Sequence, residues 1–111
     1  MVTTDLSYNQ IVTIRDSSFT RSFNLKKLNL EGNNILEVTN QTFAGLSKLQ
    51  ILNLRKNEIS SFPVGVFSSN VPSLVDLDLS GNRIAEIRTG VFDGGFTGKN
   101  IYLQNILKHS V

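Results

Sequence analysis

Few residues in this chain are of types that do chemistry, and their spacing removes most of the chemistry open to those types. The single histidine, His109, is third from the last residue, with no nucleophile or carboxylate spaced to work with it as a general base. Asp76 and Asp78 stand two apart. On a strand that spacing aims both carboxylates from one face, as an acid–base pair or a cation site requires, although two hydrated charges on a solvent-facing strand satisfy the same pattern. The stretch VFDGGFTG, Val91 to Gly98, has the glycine content of a phosphate-cradling loop but does not complete a Walker-type motif, and it reads as a loosened return loop. The absence of cysteine excludes disulfides and thiolate sites. No base, nucleophile and orienting group converge, so the expectation is a protein that is not an enzyme and has no cofactor and no bound metal. What remains is Asn40-Gln41-Thr42, an acceptor sequence for N-linked glycosylation at Asn40.

The elements that would position these residues follow from a repeat. Taking Leu25 as position one, Leu28 falls at four, Leu30 at six, Asn33 at nine, Ile35 at eleven, Val38 at fourteen, Phe43 at nineteen and Leu46 at twenty-two. Twenty-four residues earlier the same roles fall to Leu6, Asn9, Ile11, Ile14 and Phe19. Twenty-four residues later they fall to Leu49, Leu52, Leu54, Asn57, Ile59, Phe62 and Phe67. One extra residue intervenes around Ser68 to Val71, and Leu74 then opens a fourth copy with Leu77, Leu79, Asn82, Ile84, Ile87 and Phe92. The copies run over about 1–24, 25–48, 49–73 and 74–97, with a partial fifth at 98–111 whose Ile101 and Leu103 fit one frame while Tyr102, Asn105 and Leu107 fit another.

Each position has a physical reason. Leucines alternating with polar residues make a short strand with one buried face, and repeating that strand builds a parallel sheet at ~4.8 Å per copy. Position nine lies where the chain leaves the strand, and a buried turn there strands amides and carbonyls. Asn9, Asn33, Asn57 and Asn82 supply both donors and an acceptor, so a carboxamide ladder is expected to bond its own turn and the next copy's, which aspartate could not do. Phe19, Phe43, Phe67 and Phe92 form a second column, an aromatic spine on the return side. Pro63 and the pairs Gly65-Val66 and Gly90-Val91 mark the return segments as turns and short irregular helix.

LxxLxLxxNxI at this period resembles the leucine-rich repeat, and the phenylalanine at position nineteen resembles its longer extracellular subclass, over about residues 2–107. The resemblance implies an α/β solenoid: a curved right-handed coil with a parallel β-sheet on the concave face and irregular or short-helical return segments on the convex face. Proteins of that subclass include Toll-type receptor ectodomains, Slit-like guidance proteins and small leucine-rich proteoglycans. It implies a non-catalytic module that recognises a protein or peptide ligand from an extracellular or cell-surface position. Those ectodomains usually carry cysteine-rich caps, and this chain has none, which fits a fragment of a longer ectodomain or a short uncapped protein. The alternative is a cytoplasmic scaffold or regulatory subunit, favoured by the missing cysteines and by an opening, MVTTDLSYNQ, without signal-peptide character.

Length and composition agree with one domain: 111 residues, 40% apolar and 18% charged. A formal charge of +2, scattered along the chain, does not favour nucleic acid. No run of ~18 apolar residues is present, so no membrane insertion within this segment is expected. The positions free to vary between the fixed leucines are the candidate contact surface: Tyr8, Lys27, Asn29, Glu31, Ile51, Asn53, Arg55, Lys56, Asp76 and Asp78. The terminal copies have no evident polar cover, which points to end-to-end homo-oligomers.

Overall fold

The computed structural model describes residues 2–87, 90–92 and 100–104. His109, Asn105, Leu107 and most of the glycine-rich stretch after Phe92 lie outside the described residues. The strands β1 (Val2–Asp5), β2 (Leu25–Asn29), β3 (Ile51–Asn53), β4 (Asp76–Asp78) and β5 (Asn100–Tyr102) form one sheet in chain order. All neighbours are parallel, with Lys27 beside Ile51, Ile51 beside Asp76, and Asp76 beside Asn100. Every strand is separated from the next by a whole turn of coil, as a parallel pairing of consecutive strands demands. The result is a solenoid of about four turns with little helix.

The leucines at positions four and six point inward. Leu28, Leu30, Leu54, Leu77 and Leu79 are fully buried, and Ile35, Ile59 and Ile84 close the core after the turn. Backbone pairing continues past the strands, with Leu30 N–H to Asn53 O at 2.8 Å and Gly32 N–H to Arg55 O at 2.9 Å, so the ladder reaches position eight in each copy. In the last copy Ile101 pairs with Leu77 in register, so residues 100–104 follow the strand frame and Tyr102 takes position five.

On the return side Phe67 stacks on Phe43 at 6.4 Å and on Phe92 at 5.8 Å. Phe62 adds a tilted contact with Phe67 at 5.2 Å, a member the repeat pattern assigned to position fourteen. The two distances between copies, 6.4 and 5.8 Å, exceed the ~4.8 Å between strands, so the sheet is the inner side of the coil. Phe19 is half-buried against the core, and ring stacking begins at Phe43. The only helix among the described residues, α1 (Val66–Asn70), lies where the third copy carries its extra residue.

Candidate interaction face

Three layers of side chains set the sheet face. Beneath it lies the asparagine ladder. Asn57 Nδ2 donates to Leu30 O at 2.9 Å and Leu54 O at 3.1 Å, while its Oδ1 accepts Ile35 N–H at 3.1 Å. Asn82 repeats the pattern with Leu54 O, Leu79 O and Ile59 N–H, and Asn33 with Leu6 O, Leu30 O and the amides of Asn9 and Ile11. The partner copy is therefore the preceding one, not the next. Asn9 departs from the ladder: it is exposed, and among the described residues its side chain donates to Ser7 O, at 3.1 Å.

The second layer is a column that the repeat pattern left as free surface. Position five is Asp or Asn in each of the first four copies, and each accepts the amide two residues on: Asp5 from Ser7, Asn29 from Glu31, Asn53 from Arg55 and Asp78 from Ser80, all at 2.9–3.0 Å. These turns end the strand and leave one side-chain atom of each residue facing out. The signal was in the sequence, as an unbroken column of Asx. Ser7 Oγ also donates to Asp5 Oδ1 at 2.6 Å, and the two Ser7 bonds hold the Asp5 carboxyl below its ordinary pKa.

The third layer is what solvent meets. At the position-eight rim the backbone is left-handed, with φ of 56° at Tyr8 and 58° at Lys56, where the other copies have Gly32 and Gly81. The Tyr8 ring packs against Gly32, where a Cβ would come within 2.2 Å of it. Its hydroxyl donates to Glu31 Oε2 at 3.0 Å, which raises the phenol pKa. Glu31 Oε1 in turn accepts Asn53 Nδ2 at 3.0 Å. Tyr8, Glu31 and Asn53 thus form one network across three copies.

The charges on the face make no ion pairs with one another. Among the described residues the one ion pair is Arg83 with Glu58 at 3.9 Å, which lies off the sheet. Lys27, Arg55, Lys56, Asp76 and Asp78 make none with a described residue, and Arg55 Nε is buried without a hydrogen-bond acceptor. Exposed tyrosines bracket the face, Tyr8 at 63% and Tyr102 at 47%. Between them Lys27, Ile51, Leu52, Asn53, Asp76, Asp78 and Tyr102 line a shallow depression of ≈ 260 Å³. A larger one, ≈ 340 Å³, lies off the sheet between Glu37, Val38 and Ser61 to Val64, and offers a single charge.

The acceptor sequence lies away from the face. Asn40 is exposed, and its carbonyl accepts Asn70 Nδ2. Thr42 is buried, its hydroxyl accepting Thr39 N–H at 2.8 Å, so the threonine also has a structural duty in the turn. Among the described residues no group of three or more His, Cys, Asp or Glu is placed to hold a metal ion, and no helix is long and apolar enough to cross a membrane.

Strands stacked one per turn, sealed by a carboxamide ladder and an aromatic spine, define a repeat scaffold that presents a sheet face in place of a cleft. The sequence profile described as Leucine rich repeat matches residues 3–59, 23–84 and 47–95, and the chain belongs to that family. The human protein Leucine-rich repeats and immunoglobulin-like domains protein 1 is 42% identical over 91 residues, which is 81% of this chain and 8% of that protein. Tsukushi of Gallus gallus is 37% identical over 105 residues, 91% of this chain and 28% of that protein. Human lumican is 36% identical over 85 residues, 77% and 24%. The crystal structure of the leucine-rich repeat domain of APL1B superposes with a TM-score of 0.89 at 26% identity, over 98% of this chain and 32% of that one. The chain thus spans less than a third of each of these proteins.

Proposed function

We infer that this chain is a protein-recognition module that binds a protein or peptide ligand on its concave sheet, within a secreted or cell-surface protein. The observation that carries the reading is the set of cations on that face, Lys27, Arg55 and Lys56, that make no ion pair among the described residues. A protein ligand supplying carboxylates or carbonyls answers that deficit. Likeness to Tsukushi and lumican supports an extracellular setting, as does the exposed Asn40 acceptor, where a glycan would leave the sheet clear.

The binding residues in this reading are Tyr8, Lys27, Glu31, Ile51, Arg55, Lys56, Asp76 and Asp78, with Asn29 and Asn53 sharing contact with their turn bonds. Five strands at ~4.8 Å, each showing about five residues at ~3.3 Å, give roughly 400 Å², half the ~800 Å² a partner usually contributes. The segment by itself therefore binds weakly and gains affinity from further repeats or from end-to-end pairing of its half-buried terminal residues Leu6, Ile11, Ile14 and Phe19.

The test screens the chain against an array of extracellular ectodomains and compares two charge reversals. Arg55→Glu with Lys56→Glu is expected to weaken binding and flatten its salt dependence, and Arg15→Glu, on the return side, to leave both unchanged. Binding that is lost with Arg15 and kept with the pair would move the site to the convex side.

A further inference from the structure

The depression on the sheet has a chemistry of its own. Ile51 is its apolar centre, with Lys27 beside it on one strand and Asp76 on the other, while Asp78 neighbours Tyr102. Each carboxylate is already oriented through one oxygen: Asn100 Nδ2 donates to Asp76 Oδ1 at 2.7 Å, and Ser80 N–H donates to Asp78 Oδ1 at 2.9 Å. Two residues apart on one strand, they stand ~6.6 Å from each other, and among the described residues no cation lies within ion-pair distance of either. A pair of fixed carboxylates beside an aromatic ring and an apolar floor is complemented by a cation on a long apolar stem.

We propose that this depression receives an arginine or lysine side chain of a protein partner, its methylenes against Ile51 and its charge between Asp76, Asp78 and the ring of Tyr102. This rests on the sheet-face reading and narrows it to a partner with a projecting basic residue. Lys27 fixes the direction of entry. A second cation beside it is repelled, so the basic residue lies toward β4 and β5 and an acidic neighbour is favoured toward β2.

The probe is N-acetyl-arginine methylamide, titrated into the chain and followed by NMR, with the glutamate analogue as its counterpart. Saturable shifts of the Ile51 methyl and Tyr102 ring signals are expected from the arginine probe alone. Asp76→Asn with Asp78→Asn is expected to weaken them by about tenfold or more, and raised salt to do so partially. Asparagine at 78 keeps the acceptor for Ser80 N–H, as Asn29 and Asn53 do in their own turns, so the fold is retained and a melting curve verifies it. Lys27→Glu is expected to tighten the probe several-fold. Equal shifts from the glutamate analogue, shifts centred on another surface, or indifference to the double substitution would overturn the proposal. A protein ligand that responds to Arg55→Glu with Lys56→Glu but ignores Asp76→Asn with Asp78→Asn would overturn it too, yet leave the sheet-face function standing. A ligand that responds only to Arg15→Glu would overturn both.

Discussion

Replacing Asn57 with alanine removes a carboxamide whose partners are unequal, and the inequality sets the cost. Leu30 O also accepts Asn33 Nδ2, and Leu54 O also accepts Asn82 Nδ2, so each carbonyl keeps one donor. Ile35 N–H has only Asn57 Oδ1 and becomes a buried orphan. An orphaned buried group costs ~1–3 kcal/mol, and two weakened carbonyls add about 1 more, giving ~2–4 kcal/mol. For a chain of this size that is a fall in Tm of roughly 8–16 °C. Asn57→Asp should be at least as damaging, because a carboxylate keeps the acceptor for Ile35 but faces two carbonyls with no donor. Asn53→Ala loses two half-exposed bonds, to Arg55 N–H and Glu31, and should cost ~0.5–1 kcal/mol. Asn9→Ala, exposed at the end of the ladder, should cost less still. Thermal and urea melts of the four variants measure the series. Equal midpoints for Asn57→Ala and Asn53→Ala, or an Asn57→Asp variant as stable as the parent, would refute the ladder as the source of this stability.

Three further outcomes follow from the packing. Phe67→Ala opens the spine between Phe43, Phe62 and Phe92 and should cost about 3–5 kcal/mol, with half-buried Phe19→Ala well below it, as urea midpoints would record. Gly32→Ala drives a methyl into the Tyr8 ring and strains a φ of 74°, so it should destabilise by ~1–3 kcal/mol, and part of that cost should vanish in a Tyr8→Ala background. A depressed Asp5 pKa means that its turn stabilises the fold above the ordinary carboxylate pKa of 3.8 and loses that contribution as pH falls through the lower folded value. The Ser7 amide signal should therefore titrate in acid, while Glu31 and Arg55 amides, held by asparagines, should keep their bonds.

The parts of the fold legible in the sequence are those where chemistry is forced. A leucine at position four or six has no alternative to the core, and an asparagine at position nine is the residue that both gives and accepts in a dry turn. The less legible parts are those where one residue type serves two ends. Asp or Asn at position five is polar and outward, hence read as contact surface, yet its oxygen is committed to the amide two residues on. Direction along the ladder was also hidden, since spacing is symmetric and only geometry shows that Asn33 reaches back to Leu6. Tyr8 and Lys56 at a left-handed position break the glycine preference of that site, so only the structure reveals the rim they form. The sheet face was legible as the polar positions between the leucines; the lack of ion pairs among its charges was not, because pairing depends on reach across strands.

Which side of the coil meets a partner is measured directly by hydroxyl-radical footprinting. Tyr8 and Tyr102 are exposed on the sheet, while Phe23, Leu36 and Val64 are similarly exposed off it, at 55%, 54% and 59%. With a bound ectodomain from the array, Tyr8, Tyr102 and Ile51 should lose reactivity while Phe23, Leu36 and Val64 keep theirs. Protection of Phe23, Leu36 and Val64 with the two tyrosines still oxidised would contradict the concave sheet as the recognition surface.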